Sequence, residues 1–438
     1  MTKTLTHARK RLLRWWIAPL LGLALIAGIE TTGAPKASGV SVPATGIVCS
    51  HPDSNNVFKL TARDGQISTP DDNLVYMWSF APTGGGFQYP GPVLCLNQGQ
   101  TVTIVLKNTL PEDTSIVFPG QDNVTSSGVP VSPVYQGGNL VSLAQTAKAN
   151  GGSVSYTFTA GQPGTYIYES GTDQDKQLDM GLVGAMVVRP SMGAAFAYNR
   201  SDSAFNPDTE YVMLLSQSDP ALHRAVERNQ PFDMKAYHPH YWFVNGRSFP
   251  DTIAPNNAAW LPTQPYSSLV EFQPHSSDPG NPFNKPSLVR YLSTGPVTYP
   301  FHPHGNHGRV IARDGQALQG PAGQDLSYEK YTVAVGPGQT ADATYTWTDV
   351  DGWNPDTKPI PVAIPPLANL LFKDNATWYS GSPYLGYKGP LPVGVTSYNE
   401  CGEYYFMMHS HALYQITNFG IAGGGMLTLM RVDPPGGC

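Results

Sequence analysis

The chain has 438 residues and a formal net charge of −6; only 13% of its residues are charged, whereas Gly (45) and Pro (41) are abundant. This charge makes nucleic acid, which binds basic surfaces, a poor partner. The many turn-forming residues, and the lack of a long stretch with helical apolar spacing, favour an all-β protein, and the length favours two domains.

Residues 1–34 have the layout of a secretion signal. A basic run, HARKRLLR, precedes the apolar segment WWIAPLLGLALIAG and then small residues. The apolar segment is shorter than the about 20 residues that a membrane-spanning helix prefers. We therefore expect cleavage near Ala34, with a membrane anchor as the alternative, and export to the periplasm or the cell exterior.

Four cysteines follow this segment, and their even number in an oxidising compartment favours disulfide bonds over metal thiolates. Three connectivities are open to four cysteines. We favour Cys49 with Cys95 and Cys401 with Cys438, because each pair then lies within one domain.

Short runs with period-two alternation recur along the whole chain, such as TVTIVLKN, GSVSYTFTA and GTYIYES in the first half and GRVIARDG and EYYFMMHSH in the second. Strands of this length between Gly, Pro and Asn predict Greek-key β-sandwiches. The two halves echo each other, which indicates a duplicated fold. We place the domains at residues 40–190 and 211–438, joined by a linker at 191–210.

The second domain contains an irregular stretch at residues 350–399. Loops of this length are uncommon unless they have a function. A lid or a partner-binding surface is one interpretation, and an insertion packed on the sandwich is the other.

Six of the eleven histidines form HxH pairs. A spacing of two residues in a strand places both imidazoles on the same face. The pairs His302/His304 and His409/His411 both lie where strands meet loops, so we expect these four rings, the histidine quartet, to converge on a metal ion. Imidazole ligands select copper, zinc, iron or nickel, and copper leads in affinity. We expect His238 and His240 to be packed in a crossover, and His307 to bond to backbone rather than to metal.

The segments YPFHPHGNHGRVIARDG, EYYFMMHSHALYQ, YPGPVLCLNQGQTVTIVLKNTL and GTYIYESGTDQDKQLDMGLVGAMVV resemble motifs of multicopper oxidases, and the likeness covers nearly all of the chain after the signal. The resemblance implies two tandem cupredoxin-like domains. Two domains rather than three make the chain similar to small laccases and copper nitrite reductases, which often form homotrimers.

In that family, four HxH pairs hold a trinuclear copper cluster, and a separate mononuclear copper collects electrons from the substrate. The resemblance implies that the quartet holds one or two copper ions. The first-domain pairs are absent, since Val117 and Pro119 stand at one pair and Glu169 and Gly171 at the other. We expect Glu169 to lie near the quartet as a ligand or proton donor.

The mononuclear site is also incomplete, because Tyr299 replaces its first histidine, Ser410 its cysteine and Gln415 its last histidine. A hydroxyl cannot supply the soft ligand that a blue copper site requires.

Three functions are consistent with this sequence. The first is a redox enzyme that uses the quartet; its substrate would be a small molecule or a metal ion, or it would exchange electrons with a redox partner protein. The second is a copper-binding protein without turnover, assisted by methionines such as Met407, Met408 and Met426, although methionines in strands usually fill cores. The third is an interaction or scaffold protein of the cell envelope.

Overall fold

A computed structural model describes residues 44–273, 284–347 and 404–433, together with residues 370–371 and 377–378. The predicted signal segment, the predicted Cys401–Cys438 pair and most of the 350–399 stretch lie outside these residues. In the described ranges, no helix has the length and hydropathy needed to cross a bilayer.

The first half of the chain contains twelve described strands and one short helix, α1 (Gln174–Gln177). The strands are β1 (Cys49–Ser50), β2 (Val57–Ser68), β3 (Leu74–Pro82), β4 (Val93–Asn97), β5 (Thr101–Asn108), β6 (Thr125–Ser126), β7 (Val129–Pro130), β8 (Val134–Gln136), β9 (Asn139–Ser142), β10 (Ser153–Thr159), β11 (Gly164–Glu169) and β12 (Val183–Arg189).

The second half contains sixteen described strands and the helix α2 (Pro220–Glu227). The strands are β13 (Glu210–Ser218), β14 (Tyr241–Val244), β15 (Val270–Phe272), β16 (Ser287–Ser293), β17 (Tyr299–Pro303), β18 (Gly308–Arg313), β19 (Gln316–Ala317), β20 (Tyr328–Lys330), β21 (Val333–Val335), β22 (Thr340–Tyr345), β23 (Leu370–Leu371), β24 (Thr377–Trp378), β25 (Tyr404–Ser410), β26 (Thr417–Asn418), β27 (Ile421–Ala422) and β28 (Leu427–Val432).

Each half folds as two β-sheets around an apolar core, so the predicted all-β cupredoxin-like fold is confirmed. In the first half the sheet orders are β1-β4-β12-β11 and β3-β2-β5-β10-β6-β7. In the second half they are β14-β13-β16-β22-β18-β19, with β20 also on β18, and β15-β28-β25-β17-β21. Strand β5 shows why the sequence alternates: every second side chain of this strand is buried in the apolar core of the first half.

The central strands of the second half depart from this alternation. Every residue of β13 and β16 is buried, because their outer faces pack against the first half. Apolar clusters cross this boundary and include Ile167 with Val212 and Leu292. The helix α2 begins beside the same boundary, where the Asp219 side chain accepts a hydrogen bond from the Ala221 backbone nitrogen and Pro220 occupies the first turn.

A buried ionic network also joins the halves. Arg290, on β16, is fully buried and donates to Glu210 and to Asp342 at 2.6 and 2.9 Å. It also donates to Thr165 of β11 at 2.9 Å. Arg189 of β12 pairs with Glu210 at 2.6 Å. The charges of both halves therefore compensate one another at their boundary.

The described cysteines form the predicted Cys49–Cys95 disulfide. It links β1 to β4, which pair in parallel with Cys49 opposite Val93. The disulfide therefore fastens the edge strand of one sheet to its neighbour.

Candidate metal centre

Two neighbouring strands bring the histidine quartet together. Strands β17 and β25 are antiparallel, and His302 lies directly opposite His409. Backbone hydrogen bonds continue the ladder past the strand ends, from His304 to Met407 at 2.9 Å and from His411 to Pro300 at 2.8 Å. The four imidazoles therefore share one face of the pair.

The ring distances confirm that the quartet forms one group. The centroid of His302 lies 4.9 Å from that of His304, 5.7 Å from that of His409 and 5.0 Å from that of His411. The His304 and His409 centroids are 4.9 Å apart, and their Nε2 atoms are 2.9 Å apart.

Backbone carbonyls orient two of these rings. His409 donates from Nδ1 to the Ser410 carbonyl at 2.7 Å, and His302 donates from Nδ1 to the Tyr331 carbonyl and contacts the Thr332 hydroxyl at 3.0 Å. A carbonyl oxygen can only accept, so Nδ1 carries the proton in both rings and Nε2 keeps its lone pair. Metal-binding histidines are commonly held in this way.

The environment of His302, His304 and His409 favours their neutral form. Burial, followed by the neighbouring His409, His302 and His411, lowers the pKa of His304 to about 4. Burial also lowers the pKa of His302 and of His409, against the opposing effect of their carbonyl partners. Only the neutral imidazole can ligate a metal ion.

The fit to copper is good for one pair and incomplete for the rest. A separation of 2.9 Å between the Nε2 atoms of His304 and His409 is that of adjacent ligands at about a right angle on an ion with bonds of about 2.0–2.1 Å. Within the described ranges, however, no three His, Cys, Asp or Glu side chains are already arranged to hold one ion. Rings of the quartet must therefore turn before a third nitrogen can join the pair.

The quartet opens to solvent on one side. His409 is buried, His302 and His304 are half-buried, and His411 is exposed. Tyr331 and Leu413 beside it are also largely exposed. A small molecule can therefore reach the rings from outside.

The positions of the mononuclear copper site do not fit a metal. Tyr299, Ser410 and Gln415 are fully buried, and they satisfy one another and their neighbours by hydrogen bonding. Ser410 Oγ donates to Gln415 Oε1, Gln415 Nε2 donates to the Thr298 carbonyl at 3.3 Å, and Tyr299 donates to Gln217 at 3.1 Å. This hydrogen-bonded network occupies the place of the ligands.

The remaining histidine pair and the methionines lie apart from the quartet. His238 and His240 have ring centroids 4.8 Å apart, and His240 stacks on Phe419. Met408 and Met426 are fully buried in the second core, and Met407 packs against a smaller apolar cluster. These methionines are core residues. His307 is exposed beside Tyr331.

The structure places Glu169 at a cavity whose lining residues include none of the four histidines. Glu169 ends β11 and lines a separate cavity with residues that include Leu178 and Tyr237. Among the described residues, its carboxylate has no hydrogen bond or ion pair, and burial raises its pKa to about 7. Sequence reasoning missed the groups that orient two rings of the quartet, the backbone carbonyls of Tyr331 and Ser410. A backbone carbonyl has no sequence signature.

Comparison with known proteins finds multicopper oxidases that are similar to parts of this chain. Residues 83–193 match the family model described as multicopper oxidase. The chain is 26% identical over 304 residues to L-ascorbate oxidase of Cucurbita maxima, covering 65% of this chain and 48% of that protein. It is 37% identical over 111 residues to multicopper oxidase VdtB of Byssochlamys spectabilis, covering 25% and 14%. The chain thus spans about half or less of these relatives.

A solved structure extends the likeness in fold to most of the chain. The blue copper oxidase from Nitrosomonas europaea superposes with a TM-score of 0.54 at 16% identity, covering 86% of this chain and 85% of that one. At this identity the likeness concerns the fold alone.

Proposed function

We propose that this chain, whose residues 83–193 match the multicopper oxidase family model, is an exported redox enzyme that acts on a small ligand at copper held by His302, His304, His409 and His411. The observation that carries this proposal is the convergence of four imidazoles on one face of β17 and β25. Packing alone does not account for four such rings on one face, three of them with lowered pKa values.

The residues of the chain have distinct roles in this proposal. Carbonyls of Tyr331 and Ser410 fix His302 and His409 with Nε2 free to ligate. The exposed His411 keeps one side of the site accessible to a ligand such as dioxygen or a nitrogen oxide. A bound copper ion would supply one-electron redox chemistry that no side chain of the site provides.

The supply of electrons differs from that of the relatives with a blue copper. Ser410 and Gln415 are bonded to each other in place of the mononuclear ligands. We infer that electrons reach the quartet from the reacting small molecule, from a metal ion or from a partner protein docked at the open side.

A second candidate function is copper binding without turnover. It is favoured by the same closed network at Tyr299, Ser410 and Gln415, since an enzyme of this family without an electron-entry site has lost part of its machinery.

Export is supported by the Cys49–Cys95 disulfide, because disulfides persist in oxidising compartments. The predicted signal segment agrees with that location. The homotrimer expected from the resemblance stays a prediction.

Metal analysis combined with oxygen-consumption measurements tests this proposal. We expect stoichiometric copper in the wild type, and turnover with a reductant. The His304→Ala variant should lose copper, while His238→Ala, which alters the stacked pair instead, should retain it.

Copper without turnover would favour the second function. Copper content unchanged by His304→Ala would show that the ligands are wrongly assigned, and a protein that takes up no metal would remove both functions.

A further inference from the structure

The largest cavity that we describe lies away from the quartet, where the two halves meet. Its volume is about 470 Å³, within the range of small-molecule sites. The residues of its lining that matter here are Glu169, Leu178, Asp179, Met234, Tyr237 and Pro296. We call it the Glu169 cavity.

The walls of the Glu169 cavity combine apolar side chains with negative charge. Leu178, Met234 and Pro296 supply apolar surface, while Glu169, Asp175 and Asp179 supply carboxylates. Its described lining residues include no Lys, Arg or His. An anionic ligand would therefore be repelled, and a cation with an apolar body would be attracted.

One of these carboxylates is already satisfied by the protein. The buried Asp179 accepts from the Tyr237 hydroxyl at 2.5 Å and lies 3.1 Å from His223 Nε2. Gln217 in turn donates to the Tyr237 oxygen at 2.7 Å. These hydrogen bonds fix the side chains of Asp179 and Tyr237, and the Asp179 carboxylate is satisfied without a ligand.

Glu169 differs from Asp179, because its carboxylate has no hydrogen bond or ion pair among the described residues, although the residue is half-buried. Its backbone is fixed on both sides by hydrogen bonds with Val117, at 2.8 and 3.2 Å. A carboxylate that is partly withdrawn from water and has no partner in the protein costs free energy. Such a group, held rigidly at the wall of a cavity, is what a cationic ligand would compensate.

We propose that the Glu169 cavity binds a small organic amine, with the ammonium group paired to the Glu169 carboxylate and the apolar body against Leu178, Met234 and Pro296. A bare metal ion would leave the apolar walls unused and would find only one unsatisfied carboxylate in the buried part of the cavity. The proposal does not rest on copper binding at the quartet.

Calorimetric titration with two probes of nearly equal shape tests this site. The probes are 2-phenylethylamine, which is a cation, and 2-phenylethanol, which is neutral. The titrations use the purified chain above pH 7, where Glu169 is ionised, after copper has been removed by chelation. We expect the amine to bind about tenfold or more tightly than the alcohol, as a charge-assisted hydrogen bond allows.

Variants separate the charge from the cavity. Glu169→Gln keeps the shape of the side chain and should abolish the preference for the amine, whereas Glu329→Gln removes an exposed carboxylate elsewhere and should preserve it. Met234→Trp fills the cavity and should weaken both probes. Circular dichroism of each variant establishes that it is folded.

The proposal is overturned if the wild type binds neither probe, if it binds both equally, or if Glu169→Gln keeps the preference for the amine. Because the titrations are made without copper, none of these results bears on the proposed function of the quartet.

Discussion

The two halves of the chain differ at the positions where the resemblance to multicopper oxidases implies copper ligands. In the second half, the ends of β17 and β25 leave four imidazoles facing one another beside exposed Tyr331 and Leu413. In the first half, the position of Gly171 is closed by packing, whereas Pro119 is exposed and Glu169 lines a cavity. Gly171 is buried against Val117, and the neighbouring hydroxyls of Ser115, Ser142 and Thr172 bond one another at 2.9 Å.

A larger side chain at residue 171 would therefore meet Val117 and Ser115 rather than open space. The second half, in contrast, carries imidazoles whose replacement should affect metal content more than folding.

The largest effect on stability is expected where the two halves meet. Arg290→Ala would leave Glu210 and Asp342 buried without their shared partner, and breaking such a network costs about 3–5 kcal/mol. Chemical denaturation measures the loss.

The matched control for this change is Arg309→Ala, which breaks an exposed ion pair with Asp325. It should cost at most about 1 kcal/mol. Equal losses for the two variants would show that the buried network does not hold the halves together.

A smaller loss is expected when the closed position in the first half is reopened. A Cβ atom at residue 171 would lie 2.7 Å from Val117 Cγ1 and 3.0 Å from Ser115 Oγ. Gly171→Ala should therefore destabilise the fold by about 1–3 kcal/mol, and Val117→Ala in the same chain should recover part of it. Thermal unfolding of the single and double variants measures both effects.

Gly161→Ala is the control for this series, because its added Cβ would meet no atom within 4 Å. No destabilisation by Gly171→Ala would mean that the first-half position is as open as the quartet.

The pH dependence of stability should distinguish Glu169 from a solvated carboxylate. Its pKa is raised from 4.5 to about 7 by burial, so the folded state binds this proton more tightly than the unfolded state. The resulting stabilisation is complete below about pH 4.5 and is lost as the pH rises through about 7. Unfolding free energies of wild type and Glu169→Gln, measured from pH 4 to 8, should diverge in this window.

If the wild type and Glu169→Gln showed parallel pH profiles, Glu169 would have an ordinary pKa and lie in water. That result would also weaken the case for the Glu169 cavity as a cation site.

The smallest effect is expected at the mononuclear position. Ser410→Cys returns the thiol but leaves Tyr299 and Gln415 in place of the histidines, so copper loading should not produce an intense blue colour. The loss of the Ser410–Gln415 hydrogen bond should cost about 1 kcal/mol. Visible absorption tests the expected lack of colour, and thermal unfolding tests the expected loss of stability. A blue variant would show that a metal ion can displace the hydrogen bonds of this network.

Sequence alone determined the features that depend on local pattern. Alternating side chains gave the strands of both halves, and a spacing of two residues placed each pair of histidines on one face, since the side-chain period of a strand is two. The Cys49–Cys95 pairing also followed from sequence, because both cysteines lie in one half.

The tertiary structure alone decided what surrounds those side chains. It set the register that puts His302 opposite His409, the carbonyls that hold the rings, the burial of Arg290 between the halves, and the placement of Glu169 at a cavity. Each of these depends on contacts between residues far apart in the chain, and the burial and partners of a polar group follow from those contacts rather than from its neighbours in sequence.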